Sequence, residues 1–149
     1  MLEHDEICKL IPHDGKMCLL DKVTSWNKKN ITCTTSTHRN KSNPLRSNEG
    51  LPMLSLLEYG AQAMAVHGCL LAEVDGFIMK EGYLASLRDI YFADGLLSEI
   101  EEELVINMQR IFAESGNMIY TMSISANKII LSSGRITVVA KFIDEEKPQ

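Results

Sequence analysis

The chain has 149 residues, a length that suits one domain with its own core, and we expect that domain to span residues 1–149. Hydrophobic residues make up 45% of the sequence and charged residues 23%, as in ordinary soluble globular proteins. The net charge of −5, from 15 basic and 20 acidic residues, comes without a basic cluster and argues against nucleic-acid binding.

Cysteine spacing and apolar content predict the class of protein and its compartment. The cysteines are Cys8, Cys18, Cys33 and Cys69, and no two of them show C-x-x-C spacing. We also expect no histidine at metal-ligand spacing from any of these cysteines. We therefore expect four reduced thiols, no metal and no cofactor, in a cytoplasmic protein. The first residues are acidic and polar, unlike a signal peptide. Polar residues interrupt the longest apolar run, which favours a core helix over a membrane span.

The first half of the chain predicts a hairpin followed by one long helix. A short helix is expected over residues 5–11, ending before Pro12. Residues 19–26 and 31–38 are predicted strands of a hairpin, and residues 39–50 form a polar loop. The long helix is predicted to begin near Pro52, a residue favoured in the first turn, and to end at about Ala72.

The second half alternates like a sheet. Strands are predicted over residues 77–79, 83–92, 103–112, 118–125 and 129–143, with turns at 114–117 and 127–128. Gly134 falls inside the last strand and predicts a bend or bulge. A hairpin, one apolar helix and a meander of strands predict an α+β fold, in which a curved antiparallel sheet wraps around the long central helix.

Glu58 lies inside the apolar helix and is the strongest candidate for a functional residue. With helical spacing it shares one face, expected to be buried, with Leu54, Leu57, Ala61, Ala65 and Gly68. A buried carboxylate is paired or held neutral, and a neutral carboxylic acid in an apolar cleft can act as a general acid. The alternative is a core glutamate paired with Arg46 or Arg88. Gln62, one turn later, is expected to hydrogen-bond Glu58 or a substrate, or to serve as a structural amide.

Two segments resemble the hot-dog-fold β-hydroxyacyl-(acyl carrier protein) dehydratases. Residues 10–23, which contain Pro12 and His13, resemble the opening motif of that family, and Pro52, Glu58 and Gln62 match its helix motif. The Glu58-Tyr59 pair, six residues after Pro52, is closer to the divergent aryl-polyene-type branch. The sequence departs from the main family in the loop over residues 43–50, which has no histidine, and at position 53, where methionine replaces glycine.

The resemblance implies a 3-hydroxyacyl-(acyl carrier protein) dehydratase in fatty-acid or polyene-type lipid biosynthesis. Glu58 would protonate the departing hydroxyl group, and a backbone N–H at Met53 or Leu54 would bind the thioester carbonyl. Gln62 would contact the substrate or Glu58. His13 is the best remaining candidate for the base, although a structural role is the alternative. The other three histidines are not expected to take part in catalysis. His67 lies too far along the helix from Glu58, and His4 and His38 are predicted to be on the surface.

Other readings of the same residues remain open. One is a hot-dog acyl thioesterase that uses the helix carboxylate to activate water, and another is a non-catalytic acyl-binding partner subunit of a dehydratase. The expected partners are an acyl carrier protein thioester and further subunits, as a homodimer, a higher oligomer or an assembly with a second dehydratase subunit. We expect no nucleic acid and no membrane among the partners.

Overall fold

The computed structural model describes residues 1–11 and 17–144. Its two α-helices are α1 (His4–Leu10) and α2 (Leu56–Val74), and 3₁₀ turns cover Thr37–Arg39, Met53–Ser55 and Leu97–Glu99. The strands are β1 (Leu2–Glu3), β2 (Lys22–Trp26), β3 (Asn30–Thr35), β4 (Phe77–Phe92), β5 (Leu104–Glu114), β6 (Asn117–Ala126) and β7 (Ile129–Asp144). Within the described residues, no helix has both the length and the apolar character needed to cross a membrane.

The strands form one seven-stranded antiparallel sheet with the order β1-β2-β3-β5-β6-β7-β4. Tight turns join β5 to β6 and β6 to β7, as the turn residues predicted, while β4 crosses over to pair with β7. Helix α2 packs against the sheet through β3, β4, β5 and β6. The predicted α+β architecture, a sheet around one long helix, is confirmed.

Strand β4 is longer than the sequence pattern predicted. Residues 77–79 and 83–92 belong to one continuous strand of 16 residues, although polar residues and a glycine separate the two pieces. Strand β4 is paired from its first to its last residue with β7, which also has 16 residues. The backbone hydrogen bonds between the strands therefore continue past the point where the apolar pattern of β4 is interrupted. The register shifts between Met79 and Glu81, which accommodates the interruption.

Gly134 lies opposite a bulge in β4, as predicted. The register shifts between Arg88 and Tyr91, where Asp89 has a φ of 53°. A Cβ atom on Gly134 would lie only 2.3 Å from Cδ1 of Ile90 and 3.1 Å from its Cα. Glycine is therefore required because the backbone of the bulge approaches β7 closely.

The buried face of α2 differs from the predicted one. Its buried side chains include Leu56, Tyr59, Ala63, Met64, Val66 and Leu70, and they meet alternate buried residues of β5 and β6. On the predicted stripe Leu54 is 61% exposed, Glu58 is half-buried and Gly68 is buried. The prediction of a buried Glu58 was wrong, because the residue is only half-buried and the most buried side of this almost wholly apolar helix is the one that meets β5 and β6.

Candidate active site

Gln62 holds Glu58 within the first turns of α2. The two residues are four positions apart, and one N–H of the Gln62 amide donates to Oε1 of Glu58 at 3.0 Å. The same amide nitrogen donates to the carbonyl of Met17 at 2.7 Å, and the amide oxygen accepts from the backbone N–H of Leu19 at 2.9 Å. Gln62 is only 1% exposed, so these bonds connect Glu58 to the chain at residues 17–19 through a buried group.

The carbonyl of Leu19 leads into a second set of hydrogen bonds. It accepts from the hydroxyl groups of Thr35 at 2.5 Å and Thr37 at 2.7 Å. Because Thr37 gives its hydrogen to Leu19, the hydroxyl of Tyr59, 2.8 Å away, donates to Thr37. Tyr59 in turn accepts from the side-chain amide of Asn43 at 3.1 Å. Leu19 thus joins the Gln62 contacts, through its N–H, to the polar loop, through its carbonyl.

Tyr59 is a residue whose role the sequence analysis missed. Its position in the helix indicated only a core or interface side chain, and its ring is indeed fully buried. Burial raises the pKa of its hydroxyl group, which therefore stays neutral and can both donate and accept. The only available signal was its place beside Glu58 in the motif shared with the dehydratase-like branch.

The start of the helix lies where the sequence predicted. Pro52 forms an isolated bridge with Leu96, and the turn that follows is closed by the Ser55 N–H donating to the Pro52 carbonyl at 3.1 Å. Met53 is buried and Leu54 is exposed on this first turn. The carbonyl-binding role of the Met53 or Leu54 backbone stays a prediction.

The candidate base, His13, lies outside the described residues. His67 is fully buried: its Nδ1 accepts from the Tyr120 hydroxyl at 2.6 Å, and its Nε2 lies 2.8 Å from the carbonyl of Asn27, to which it donates. Burial lowers the pKa of His67, so the neutral ring is favoured. Its position about 13 Å along the helix from Glu58 and its two bonds indicate a structural role.

Two other histidines were predicted to be on the surface; the prediction is wrong for His38 and correct only in part for His4. His38 is fully buried, with Nε2 2.9 Å from the carbonyl of Ile100, and burial lowers its pKa. His4 is half-buried, and its Nδ1 donates to the carbonyl of Leu20 at 2.8 Å. Both side chains bridge distant backbone segments, a function that local sequence patterns do not reveal.

An apolar cavity of about 170 Å³ lies between α2 and β4. Two of its lining residues, Ala61 and Ala65, follow Glu58 by three and seven positions and so share its helix face. Other lining residues include Met79, Leu84, Met118 and Val138. Methionine side chains adapt to flexible apolar ligands, so the lining of this cavity suits an apolar ligand.

Strand β4 forms an open edge beside this cavity. It is the last strand of the sheet and pairs only with β7 in the described part of the chain. Large apolar side chains along it are exposed by 39–51%; they are Phe77, Ile78, Tyr83, Leu84, Leu87 and Tyr91. A long edge strand with this much apolar surface is typical of a site for pairing with another subunit.

A curved antiparallel sheet around one long central helix defines a hot-dog fold. A chain of the dehydratase heterocomplex ApeI:P from Xenorhabdus doucetiae superposes with a TM-score of 0.81 at 22% identity, covering 95% of this chain and 92% of that one. A thioesterase from Staphylococcus aureus gives 0.61 at 11% identity, with 80% and 92% covered. The PaaI protein of E. coli gives 0.60 at 12% identity, with 91% and 88% covered. These likenesses confirm the predicted fold.

The sequence also identifies the family within this fold. The model of the ApeP-like family, described as ApeP dehydratase, matches residues 5–147, and the chain belongs to this family. A comparison with curated protein sequences finds no significant match. The predicted resemblance to the divergent, aryl-polyene-type dehydratase branch is thereby confirmed.

Proposed function

We propose that this chain is a dehydratase subunit that acts on 3-hydroxyacyl thioesters of acyl carrier protein, in cytoplasmic fatty-acid or polyene-type lipid biosynthesis. One observation carries the proposal: Gln62 holds the carboxyl group of Glu58 on the helix face that continues into the apolar cavity. The cavity would take the acyl chain and leave the reacting carbons beside Glu58. Membership of the ApeP-like dehydratase family supports the same reaction.

In the proposed reaction a base removes the proton at the α-carbon and Glu58 protonates the β-hydroxyl group, which leaves as water. Gln62 positions the acid, because both hydrogens of its amide are given to protein acceptors. A backbone N–H at Met53 or Leu54, at the positive end of the helix dipole, would stabilise the negative charge that develops on the thioester oxygen. His13 is the proposed base of this chain.

We further propose that a second hot-dog dehydratase subunit pairs with this chain along β4. The exposed apolar side chains of that edge support a protein partner. The loop over residues 43–50 has no histidine, so a partner could supply the catalytic histidine that this loop lacks. The dehydratase complex ApeI:P, which is similar in fold, is described as a heterocomplex.

The test is turnover of a 3-hydroxyacyl thioester of acyl carrier protein, by the chain alone and after mixing with a hot-dog dehydratase subunit from the same organism. Enoyl absorbance and product mass identify the reaction. Glu58→Gln should lower the rate at least about 100-fold, because the amide cannot give up a proton. Glu73→Gln, an exposed position on the same helix, is the matched control and should leave the rate unchanged.

Each other outcome points to a defined alternative. A free acid in place of the enoyl product would indicate a thioesterase. No product from a folded mixed complex would indicate an acyl-binding subunit without catalytic activity. Full activity of Glu58→Gln would exclude Glu58 as the acid.

A further inference from the structure

Three potential metal ligands meet near the start of the chain. Helix α1 carries His4 and Cys8 one turn apart, and Nε2 of His4 lies 3.5 Å from Sγ of Cys8. Cys18 joins them, and the three ligand atoms lie within 4.8 Å of one another. The sequence analysis predicted neither this cluster nor a histidine at ligand spacing from a cysteine. That prediction was wrong because a spacing of four on a helix was overlooked, and Cys18 reaches the cluster through the fold.

The structure holds two of these residues in an oxidised state. Cys8 and Cys18 form a disulfide, with their Cα atoms 5.8 Å apart. The prediction of four reduced thiols is therefore wrong for this pair, while Cys33 and Cys69 are free. Reduction would place two thiol groups beside the same histidine ring.

The ring of His4 is oriented as in a metal ligand. The carbonyl of Leu20 can only accept, so the Nδ1 atom 2.8 Å from it must carry the hydrogen. In the neutral ring Nε2 then presents its lone pair toward Cys8. A backbone carbonyl that fixes the non-ligating nitrogen in this way is the usual second contact of zinc-bound histidines.

We propose that the reduced protein binds Zn²⁺ through Nε2 of His4 and the Sγ atoms of Cys8 and Cys18. In zinc sites the ion lies about 2.0–2.1 Å from a ligating nitrogen and about 2.3 Å from a ligating sulfur. At a tetrahedral angle these bond lengths separate the nitrogen from the sulfur by about 3.5 Å. The separation of His4 Nε2 and Cys8 Sγ has this value. The ion and the disulfide exclude each other, because both use the two sulfur atoms.

The surroundings provide an entry path and a favourable charge. An open pocket is lined by His4 and Cys18 together with the polar residues Asp21, Asn40 and Asn43. The carboxylate of Asp21 attracts cations to this pocket, and solvent reaches the ligands through it. Three protein ligands leave a fourth tetrahedral position, which water from the pocket would occupy.

Conversion between the two states is balanced in atoms and electrons. A phosphine reductant gives two electrons to the disulfide, takes oxygen from water to become the phosphine oxide, and leaves one thiol each on Cys8 and Cys18. Zn²⁺ then replaces the two thiol protons and does not itself change oxidation state. In the reverse direction a small-molecule disulfide accepts the two electrons by thiol–disulfide exchange, and the ion is released.

The experiment uses the full chain reduced with a phosphine, which is then removed before titration with Co²⁺ and, separately, Zn²⁺. One Co²⁺ per chain should bind and give the strong visible bands of a tetrahedral ion together with thiolate-to-cobalt charge transfer. Zn²⁺ should abolish these bands by replacement. The oxidised protein, which requires no mutation, should show none of them. Zinc content after gel filtration gives the stoichiometry.

Variants then identify the ligands. His4→Ala, Cys8→Ser and Cys18→Ser should each weaken Co²⁺ binding and change the spectrum, whereas Cys69→Ser, the free and half-buried cysteine, should behave as the wild type. Circular dichroism checks the fold of each variant. The proposal is overturned if the reduced, folded wild type binds no ion, if the oxidised protein binds equally well, or if His4→Ala leaves the spectrum unchanged.

Discussion

Gln62 donates to the carboxyl group of Glu58 from one helical turn away while its remaining hydrogen-bonding atoms are bound to the backbone at residues 17 and 19. The amide therefore does two things that no other side chain of similar size can do together. Its nitrogen donates to two acceptors and its oxygen accepts from an N–H group. A carboxylate could not donate, and an aliphatic side chain could do neither.

Gln62→Leu is expected to lower the free energy of unfolding by about 2–4 kcal/mol, because the buried N–H of Leu19 and carbonyl of Met17 lose their partner. Dehydratase turnover should fall as well, since Glu58 loses its support. Urea denaturation followed by circular dichroism measures the first effect. Gln109→Leu, an exposed position on β5, is the control. Equal stability of the two variants would show that the Gln62 bonds contribute little.

Stability should decrease as pH falls below about 6.5. Burial lowers the pKa of both His38 and His67 below the ordinary value of 6.5, and Arg110 lowers that of His67 further. Between each lowered pKa and 6.5 the unfolded chain binds a proton that the folded chain does not, so the free energy of unfolding rises with pH in this window. Each histidine contributes at most about 1.4 kcal/mol per pH unit.

Urea denaturation at pH 7.5 and pH 5.5 tests this dependence. The difference between the two pH values should be smaller in His67→Gln than in the wild type, because the variant has lost one of the two titrating groups. His38→Gln should reduce the difference independently. An unchanged difference in both variants would assign the pH dependence to other groups.

Two glycines of α2 should respond differently to alanine. A Cβ on Gly68 would lie 3.5 Å from Sδ of Met79, an ordinary contact, whereas a Cβ on Gly60 would lie 2.6 Å from Sδ of Met122 in the core. Gly68→Ala should stabilise by up to about 1 kcal/mol through helix propensity. Gly60→Ala should be less stable than Gly68→Ala by about 1–3 kcal/mol, because Met122 must move. Thermal and urea denaturation of the pair provide the comparison, and equal stabilities would contradict it.

A charge on the β4 edge should weaken subunit association. Leu87 is 39% exposed on this strand, and lysine on an edge strand opposes pairing with a further strand. Leu87→Lys is expected to raise the dissociation constant at least about tenfold, as measured by sedimentation equilibrium. Ile129→Lys changes an exposed apolar residue at the start of β7 and is the control. Identical association of both variants would place the interface elsewhere.

Regular periodicity and turn residues were enough to predict strands β2, β3, β5, β6 and β7, the two ends of β4, the long helix and the bulge at Gly134, but not the two-residue strand β1. The face of α2 was predicted wrongly because a helix that is apolar nearly all round gives little information about which side the sheet covers. The strand expected from residue 19 begins at Lys22, since the peptide groups of Leu19 are bound by side chains rather than by a neighbouring strand.

The site was predictable only where its residues share a helix. Glu58 and Gln62 are one turn apart, and their contact follows from that spacing alone. The hydrogen bonds of Tyr59 and the approach of Cys18 to His4 join residues 14–22 positions apart, and no local pattern encodes such pairs. His38 and His67 likewise became structural residues through carbonyl groups far away in the sequence.

The unequal edges of the sheet have a consequence for how many subunits can join. In the described residues one edge is β4, with 16 residues, and the other is β1, with two. A strand of two residues offers too few backbone groups to recruit a further sheet. If a subunit pairs with β4 as proposed, neither edge of the described sheet is left to extend it by a further long strand.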